Sequence, residues 1–518
     1  MANRLIVGAA ILFGANLVNK IMGFVYQYLI MHYIGSEAFG LYQMAFPVYM
    51  TTLVFTTAGL PLAVAKMVSE KISLGAPQDA RKIFHTALLI LFVSGTLVTL
   101  LVYLNIPIIS TEFFPDKRVG MIFKICIPSV LIVSVSSGFR GYFQGLQNML
   151  PSATSQIVGQ IARVGLGFYA AWLLLPMGVE WAACGLALGM VAAELIALIM
   201  IMIFYVWQRS QDKKRVYQPH RMRYRHICKD LFTLSVPTTG SRLAASLLST
   251  LDTLIIPRQL GKAGYSISES TSLFGQLNGT ALTLLTFPNV FTFALATSLV
   301  PAISAAMARK NYQLAGSRCN DAIRATVLLG LPCAIFLFIF ADILSGVFKS
   351  PQIAPALQIM AATGLFTYLM QTTTGILQGV GKMHVPLVHS LVGAFIRIPL
   401  LFYLTAQPEL GILGCALTYS INSVIVTSLN FAAILRYIKV KFNYVKLFGK
   451  PLLAAAAMFA SMIAMKSVLG GQSLLSFATA LLILSIGFAV YVGVLWLIKG
   501  ISSKDLSILP WFNKVPRA

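Results

Sequence analysis

Charged residues are scarce in this chain of 518 residues. Asp, Glu, Lys and Arg together make up 10% of the sequence, whereas apolar residues make up 58% and the mean hydropathy is +0.81. A soluble domain carries about 25% charged residues, so the composition excludes an ordinary soluble protein. Acidic residues are the scarcest: there are 15 of them against 39 Lys and Arg, which gives a formal net charge of +24.

Motifs of enzymes and metal sites are also missing from the sequence. There is no Walker A loop, no H-E-x-x-H helix and no G-x-S-x-G turn. The segment GVGKM at 379–383 lacks both the spacing and the Ser or Thr of a nucleotide loop. The six cysteines show no C-x-x-C spacing, which indicates packing residues and not a disulfide framework or a zinc site. We therefore expect no enzymatic activity, no cofactor and no metal.

Long apolar stretches dominate what the chain does contain. A bilayer core of about 30 Å needs roughly 20 apolar residues per helix. The periodicity is helical and differs from the short alternating strands of a barrel. The sequence predicts an all-α integral membrane protein with fourteen transmembrane helices, at approximately 5–34, 37–69, 83–107, 120–143, 153–176, 181–207, 231–257, 272–307, 324–347, 354–377, 386–405, 411–435, 451–468 and 473–498.

The distribution of basic residues predicts the orientation of these spans. Cytoplasmic loops retain Lys and Arg, and most of them fall in cytoplasmic segments if both the N- and C-termini are cytoplasmic. The most basic segment, 209–230, is interpreted as a topology anchor or as a contact with anionic membrane lipids. The positive charge then reflects a multi-pass protein of the cell membrane and implies no nucleic-acid partner.

Two parts of the sequence resemble each other. The stretch GYFQGLQNMLPS at 141–152 recurs as GILQGVGKMHVP at 375–386, an offset of 234, and a second match at an offset of 240 pairs Pro61 with Pro301. Both matches predict two six-helix lobes related by a parallel pseudo-two-fold repeat, plus two accessory C-terminal helices. Such lobes enclose a cavity that can open to either side in turn, as alternating-access transport requires.

The predicted domain organisation follows from this repeat. It consists of an N-terminal six-helix lobe at 1–208, a basic cytoplasmic linker at 209–230, a C-terminal six-helix lobe at 231–440, and accessory helices 13 and 14 with a cytoplasmic tail at 441–518.

Four basic residues fall near the middle of predicted spans, where each costs about 2.5–3.5 kcal/mol to insert. They are Lys20, Arg163, Arg242 and Arg397. A polar stripe shares one helix face with Lys20 and contains Asn16, Asn19 and Gln27. An excess of positive charge in a cavity favours an anion, and Arg binds phosphate oxygens in pairs. We predict that all seven residues line a cavity that binds a phosphate or pyrophosphate group.

Two acidic residues also lie inside predicted spans. Glu194 falls near the middle of span 6, and Asp252 falls in the outer half of span 7. Each is a candidate charge partner for a neighbouring basic residue, or a site that responds to a coupling ion, H⁺ or Na⁺.

Five segments carry a resemblance to a known family. They are NKIMGFVYQYLIMHYIGSEAFGLYQMAFP (19–47), GLPLAVAKMVSE (59–70), GYFQGLQNMLPSATSQ (141–156), LDTLIIPRQL (251–260) and LQGVGKMHVP (377–386). In this order, and over essentially the whole chain, they resemble the stage V sporulation protein B group of polysaccharide exporters. This group is a branch of the superfamily that includes the flippases for lipid-linked peptidoglycan precursor and the multidrug and toxin extrusion (MATE) transporters.

The resemblance implies movement of an undecaprenyl-pyrophosphate-linked saccharide, for spore-cortex peptidoglycan, from the inner to the outer leaflet. Lys20 keeps the charge of an Arg in the flippase pattern, whereas Gln27 stands where the family often has a further basic residue. Lys66 and Arg140 match basic family positions at cytoplasmic helix ends, which topology alone explains. The alternatives are a cation-coupled multidrug exporter of the MATE type, and a non-transport scaffold or enzyme of cell-wall synthesis. Cell-wall synthases are candidate partners.

Overall fold

The computed structural model describes residues 2–212, 223–438, 442–469 and 477–500. The centre of the predicted basic linker, the start of predicted span 14 and the predicted cytoplasmic tail after residue 500 lie outside the described residues. Regular secondary structure in the described part is helical throughout, which confirms the all-α prediction. The chain forms two compact units, which we name unit 1 (Met1–Gly261 with Tyr265–Gly275) and unit 2 (Lys262–Gly264 with Gln276–Ala518).

Unit 1 contains the first part of the chain and extends beyond the predicted linker. Its helices are α1 (Ala2–Leu29), α2 (Ser36–Thr57), α3 (Leu60–Ser73), α4 (Pro77–Leu104), α5 (Ile106–Glu112), α6 (Val119–Cys126), α7 (Ser129–Gly145), α8 (Leu150–Leu174), α9 (Val179–Asp212), α10 (Tyr224–Lys262) and α11 (Ile267–Gln276). A π-helical turn at Ile30–Ile34 continues α1. Nearly all of α10 belongs to unit 1. The first segment of unit 1 therefore ends at Gly261, whereas the predicted boundary between the lobes is the linker at 209–230.

Unit 2 holds the remaining helices. They are α12 (Leu282–Thr286), α13 (Asn289–Ala308), α14 (Tyr312–Ile339), α15 (Ala341–Val347), α16 (Ala354–Ala362), α17 (Gly364–Gly379), α18 (His384–Leu404), α19 (Ile412–Ile438), α20 (Lys450–Leu469) and α21 (Phe477–Leu497). Two π-helical turns, Leu277–Ala281 and Val445–Gly449, precede α12 and α20.

The helices have the length and composition of a multi-pass membrane protein. Within the described residues, ten are long and apolar enough to cross a membrane, or eleven if α16 and α17, which meet at a bend of 54°, form one span. Predicted spans 1, 7 and 8 are helical but do not belong to this set. The membrane class is confirmed, whereas the number fourteen stays a prediction.

Predicted span 2 is interrupted at the junction of α2 and α3. Ala58 and Gly59 both have positive φ angles, 44° and 69°, in a region of the backbone that favours glycine. Pro61 occupies the first turn of α3, where its missing N–H removes no helical hydrogen bond. The break therefore precedes Pro61, and the proline starts the next helix.

The two units contain the same helix end at the two quoted repeat segments. The amides of residues 146–148 bond back into the last turn of α7, and those of residues 380–382 bond back into α17 in the same pattern at an offset of 234. The left-handed residue is Gln147 (φ 57°) in one unit and Gly381 (φ 84°) in the other, as in a Schellman motif.

Glycine contacts repeat between the units as well. In unit 1, Gly145 packs against Ala65 and Val68 of α3. In unit 2, Gly379 packs against Val300 and Ile303 of α13. A second glycine packs on the following helix: Gly95 against Leu131 and Ser134, and Gly330 against Leu365 and Tyr368. These contacts correspond at offsets of 234 and 235, whereas the sequence match that pairs Pro61 with Pro301 has an offset of 240.

A capping box begins α11. The Ser266 amide donates to Glu269 Oε2 at 2.9 Å, and the Glu269 amide donates to Ser266 Oγ at 3.2 Å, so two amides of the first turn are satisfied. The hydrogen bond from the Ser266 backbone lowers the pKa of Glu269. Its contribution to stability is present above the ordinary carboxyl pKa and is lost as the pH falls through the lowered value.

The Lys450→Met variant is expected to loosen the contact between α20 and the end of α21. Lys450 Nζ donates to the carbonyls of Ile498 at 2.6 Å and Lys499 at 3.0 Å. Losing these charged hydrogen bonds removes about 1–2 kcal/mol of stability, which the thermal unfolding midpoint of the detergent-purified protein measures. Lys446→Met is the matched control, since Lys446 is exposed on the same segment. Equal midpoints for the two variants contradict the expectation.

Candidate functional site

Glycines bring α8 and α9 close enough for a charged pair to form between them. A Cβ atom at Gly189 of α9 would overlap the backbone of Gly167 on α8, so the two helices touch backbone to backbone. Arg163 lies one turn before Gly167 and Glu194 lies just over one turn after Gly189. Because the helices run in opposite directions, the two side chains face each other.

Two arginines share the Glu194 carboxylate. Arg163 Nη2 donates to Glu194 Oε1 at 2.7 Å, and Arg140 Nη2 of α7 lies 3.8 Å from Oε2. The side chains of Arg140, Arg163 and Glu194 are 23%, 22% and 16% exposed. We call these three residues the arginine–glutamate cluster. It carries one net positive charge, because Arg remains protonated and one carboxylate opposes two guanidinium groups.

Three buried tyrosines surround the cluster. Tyr26 of α1 and Tyr42 and Tyr49 of α2 are at most 6% exposed, and all lie within electrostatic range of Arg163. The Tyr26 hydroxyl lies against Gly167, and the Tyr42 hydroxyl donates to Met190 Sδ at 3.4 Å. The cluster therefore lies among the helices of unit 1, enclosed on one side by aromatic residues.

The cluster changes the interpretation of two predicted residues and adds a third. Arg163 is paired with Glu194 and is not an uncompensated cation, so only the cluster as a whole carries excess charge. The third residue is Arg140, which the sequence explains as a basic residue at the cytoplasmic end of a helix. Its one sequence signal was its match to a basic family position, because nothing in the chain indicates that residue 140 reaches residue 194.

The polar stripe predicted on span 1 is retained on α1. Asn16 and Lys20 are exposed, whereas Asn19 and Gln27 are half-buried. Helix α1 packs along α8, where a Cβ at Gly23 would lie 3.9 Å from Gln160 Nε2. Among the described residues no contact joins Lys20 to the arginine–glutamate cluster, so its part in a common site stays a prediction.

Arg242 and Asp252 both lie on α10. Arg242 is exposed and Asp252 is half-buried. Ser246 and Thr250 follow Arg242 at intervals of four residues, and both hydroxyls lie 2.8 Å from Thr51 Oγ1 of α2. This face of α10 therefore meets α2 at Thr51, and Arg242 lies one helical turn before Ser246.

Arg397 lies on α18 in unit 2. It is 7% exposed, and its guanidinium carbon is 5.1 Å from the centre of the Tyr419 ring, as in a cation–π interaction. This contact holds the guanidinium at the α18–α19 interface.

An apolar cavity of about 770 Å³ lies in unit 2 between α14, α17, α19 and α20. Its lining is aromatic and aliphatic except for Thr427 and Ser428, and it includes Phe338 and Phe431. A second cavity of about 660 Å³ also borders Phe338. Such walls fit a hydrocarbon chain, because they offer no charged group.

The whole-chain fold is shared with a flippase of solved structure. The structure of Lipid II flippase MurJ in an inward closed conformation superposes with a TM-score of 0.72 at 17% identity, covering 94% of this chain and 98% of that one. The architecture is therefore that of this class of membrane protein.

Sequence comparison identifies the family. Residues 5–307 match the family described as Polysaccharide biosynthesis protein, and residues 278–403 match MatE. Stage V sporulation protein B of Bacillus subtilis (strain 168) is 34% identical over 82% of this chain and 83% of its own length. Lipid II flippase MurJ of the same organism is 24% identical over 81% of each chain. The chain belongs to the polysaccharide biosynthesis protein family together with stage V sporulation protein B.

Proposed function

We propose that this protein is a flippase that moves an undecaprenyl-pyrophosphate-linked saccharide, a peptidoglycan precursor for the spore cortex, from the inner to the outer leaflet. Fourteen spans in two repeated lobes with cytoplasmic termini would carry it out by alternating access. The glycine contacts and helix ends that correspond at offsets of 234 and 235 support the duplication.

The observation that carries the proposal is the net positive charge of the arginine–glutamate cluster at membrane depth. A second guanidinium beside an already paired carboxylate is costly in an apolar protein unless it serves an anion. Arg is the side chain best suited to pyrophosphate oxygens. Lys20, Arg242 and Arg397, with Asn16, Asn19 and Gln27, are proposed as further contacts to the head group.

The apolar cavities of unit 2 support the lipid part of the substrate. Only the pyrophosphate and the sugars must cross, because a polyprenyl tail is stable among hydrocarbon side chains and lipid. Helix α20, one of the two predicted accessory helices, forms part of the cavity wall through Phe459. We assign this surface to the tail.

An H⁺ or Na⁺ gradient is proposed to drive transport, with Glu194 and Asp252 as the candidate groups that respond to the ion. Cell-wall synthases are proposed as partners that receive the product.

Reconstituted full-length protein tests this function. Liposomes that contain fluorescent lipid II on both leaflets are treated outside with a membrane-impermeant quencher, and flipping exposes the inner pool. The wild-type protein is expected to expose nearly all of the label. Lys20→Ala, Arg242→Ala and Arg397→Ala are each expected to slow exposure about tenfold or more, since each loses a charged hydrogen bond to the head group.

Arg258→Ala is the control, because Arg258 is exposed and donates to the backbone carbonyl of Glu112. Normal flipping by all three test variants contradicts the assigned head-group contacts. Transport of ethidium, an organic cation, without any flipping of lipid II by the wild-type protein contradicts the function itself and favours a drug exporter of the MATE type.

A further inference from the structure

The arginine–glutamate cluster has many more hydrogen-bond donors than its single carboxylate uses. Among the residues that the structure describes, Arg163 donates to Glu194 through Nη2 alone, and the 3.8 Å between Arg140 Nη2 and Glu194 is too long for a hydrogen bond. The Nε atoms of both arginines are buried without a hydrogen-bond partner among the described residues. Each guanidinium offers five donors in a fork that matches an oxyanion.

The Tyr26 hydroxyl adds an unused polar group beside the cluster. Tyr26 is 6% exposed, and its hydroxyl has no hydrogen-bond partner among the residues that the structure describes. Buried donors without acceptors destabilise a folded protein. Three of them around one excess positive charge are a poor arrangement for a purely structural ion pair, and they fit a place that an oxygen-rich anion occupies.

We propose that Arg140 and Arg163 form a binding site for a phosphate-type oxyanion, in which Glu194 is an internal anion that the ligand displaces. That the anion is a lipid-linked pyrophosphate rests on the proposed function; the site itself recognises phosphate chemistry from a lipid head group or from a free anion. Glu194 holds Arg163 in place until the ligand arrives, and both guanidinium forks then turn to the oxyanion.

Displacement of Glu194 is a competition between two anions for the same arginines. The groups that face Glu194 are Arg163 from α8, Arg140 from α7, and Tyr42 and Tyr49 from α2, while α6 brings the thiol of Cys126 close to Arg163. Once the arginines bind the oxyanion, Glu194 loses its counter-ions and gains a second anion as neighbour. The Glu194 carboxylate therefore weakens the binding of the oxyanion.

Calorimetric titration of the detergent-purified full chain with inorganic sulfate tests the site. Sulfate is a tetrahedral oxyanion that presents four acceptor oxygens to the two guanidinium groups. The wild-type protein is expected to bind one sulfate.

The variants separate the three roles. Glu194→Gln is expected to bind sulfate about tenfold more tightly than the wild-type protein, because the competing carboxylate is gone. Arg140→Gln and Arg163→Gln are each expected to bind at least tenfold more weakly, and Arg258→Gln is expected to match the wild type. The Arg163→Gln/Glu194→Gln double variant keeps the net charge of one that the wild-type cluster carries, so it serves as the control for folding. Sulfate binding by Glu194→Gln that is weaker than, or equal to, that of the wild-type protein overturns the proposal.

Titration with undecaprenyl pyrophosphate and with soluble pyrophosphate assigns the source of the anion, because a lipid site binds the former more tightly.

The lipid II assay distinguishes failure of the oxyanion site from failure of the flippase function. If the wild-type protein flips lipid II while the Arg140 and Arg163 variants bind oxyanions normally, this inference fails and the flippase function stands. If sulfate binds and the variants change its affinity as expected but lipid II is not flipped, the site stands and the function fails.

Discussion

Gly189→Val is expected to destabilise unit 1 by roughly 3–5 kcal/mol or more, among the largest effects available to one substitution in this chain. A Cβ at this position overlaps the backbone of Gly167, and backbone cannot move aside as a flexible side chain can. Helices α8 and α9 must therefore separate, which adds the cost of overpacking to that of breaking the Arg163–Glu194 pair. The thermal unfolding midpoint and the yield of folded protein in detergent measure the loss.

Gly165→Val is the matched control on α8. A Cβ at Gly165 meets nothing within 4 Å, so the change introduces a branched residue into the same helix without a clash. It is expected to alter stability by about 1 kcal/mol or less. If both valine variants unfold at the same temperature, the close approach of α8 and α9 does not hold the arginine–glutamate cluster in place.

Asp116→Ala is expected to cost about 2–4 kcal/mol by unravelling a polar network near the predicted outer ends of α2, α6 and α11. Asp116 is 2% exposed and accepts hydrogen bonds from Arg118 Nη2 at 2.7 Å and Thr271 Oγ1 at 3.0 Å. Arg118 also donates to Glu37 at 2.7 Å. Removal of Asp116 leaves donors without an acceptor, although solvent screening at Arg118, whose side chain is 32% exposed, limits the loss.

Asp116→Asn should lose about half as much, because the amide keeps one acceptor oxygen. Glu112→Ala is the control, since Glu112 lies exposed in the same connection. The hydrogen bonds to Asp116 raise the pKa of Arg118, so the guanidinium stays charged across the working pH range and all variants can be compared at one pH. A thermal midpoint for Asp116→Ala equal to that of Glu112→Ala contradicts the network.

Residues that meet across the chain show why only part of the site was predictable. Arg163 and Glu194 were conspicuous because charge is rare inside apolar spans. Their pairing depends on Gly167 and Gly189 meeting, which no local pattern specifies. Arg140 was assigned to topology because its side chain reaches Glu194 only through the packing of α7 on α9.

The repeat illustrates the same division. Gly145 and Gly379, which the sequence match pairs, each end a helix in the same kind of turn, and turns leave a distinct sequence signature. The match of Pro61 with Pro301 differs by five residues from the offset of the glycine contacts. Apolar helices of similar composition align at several offsets, so only the glycine contacts identify the equivalent positions.

The sequence by itself determined that this protein is helical, lies in a membrane and carries positive charge within its apolar helices, because composition and periodicity respond to the solvent around each residue. The tertiary structure decided which of those charges are paired, where the helices break and which glycines touch. These features arise from side chains and backbones that are distant in the chain, and the free energy that selects them comes from close packing between helices.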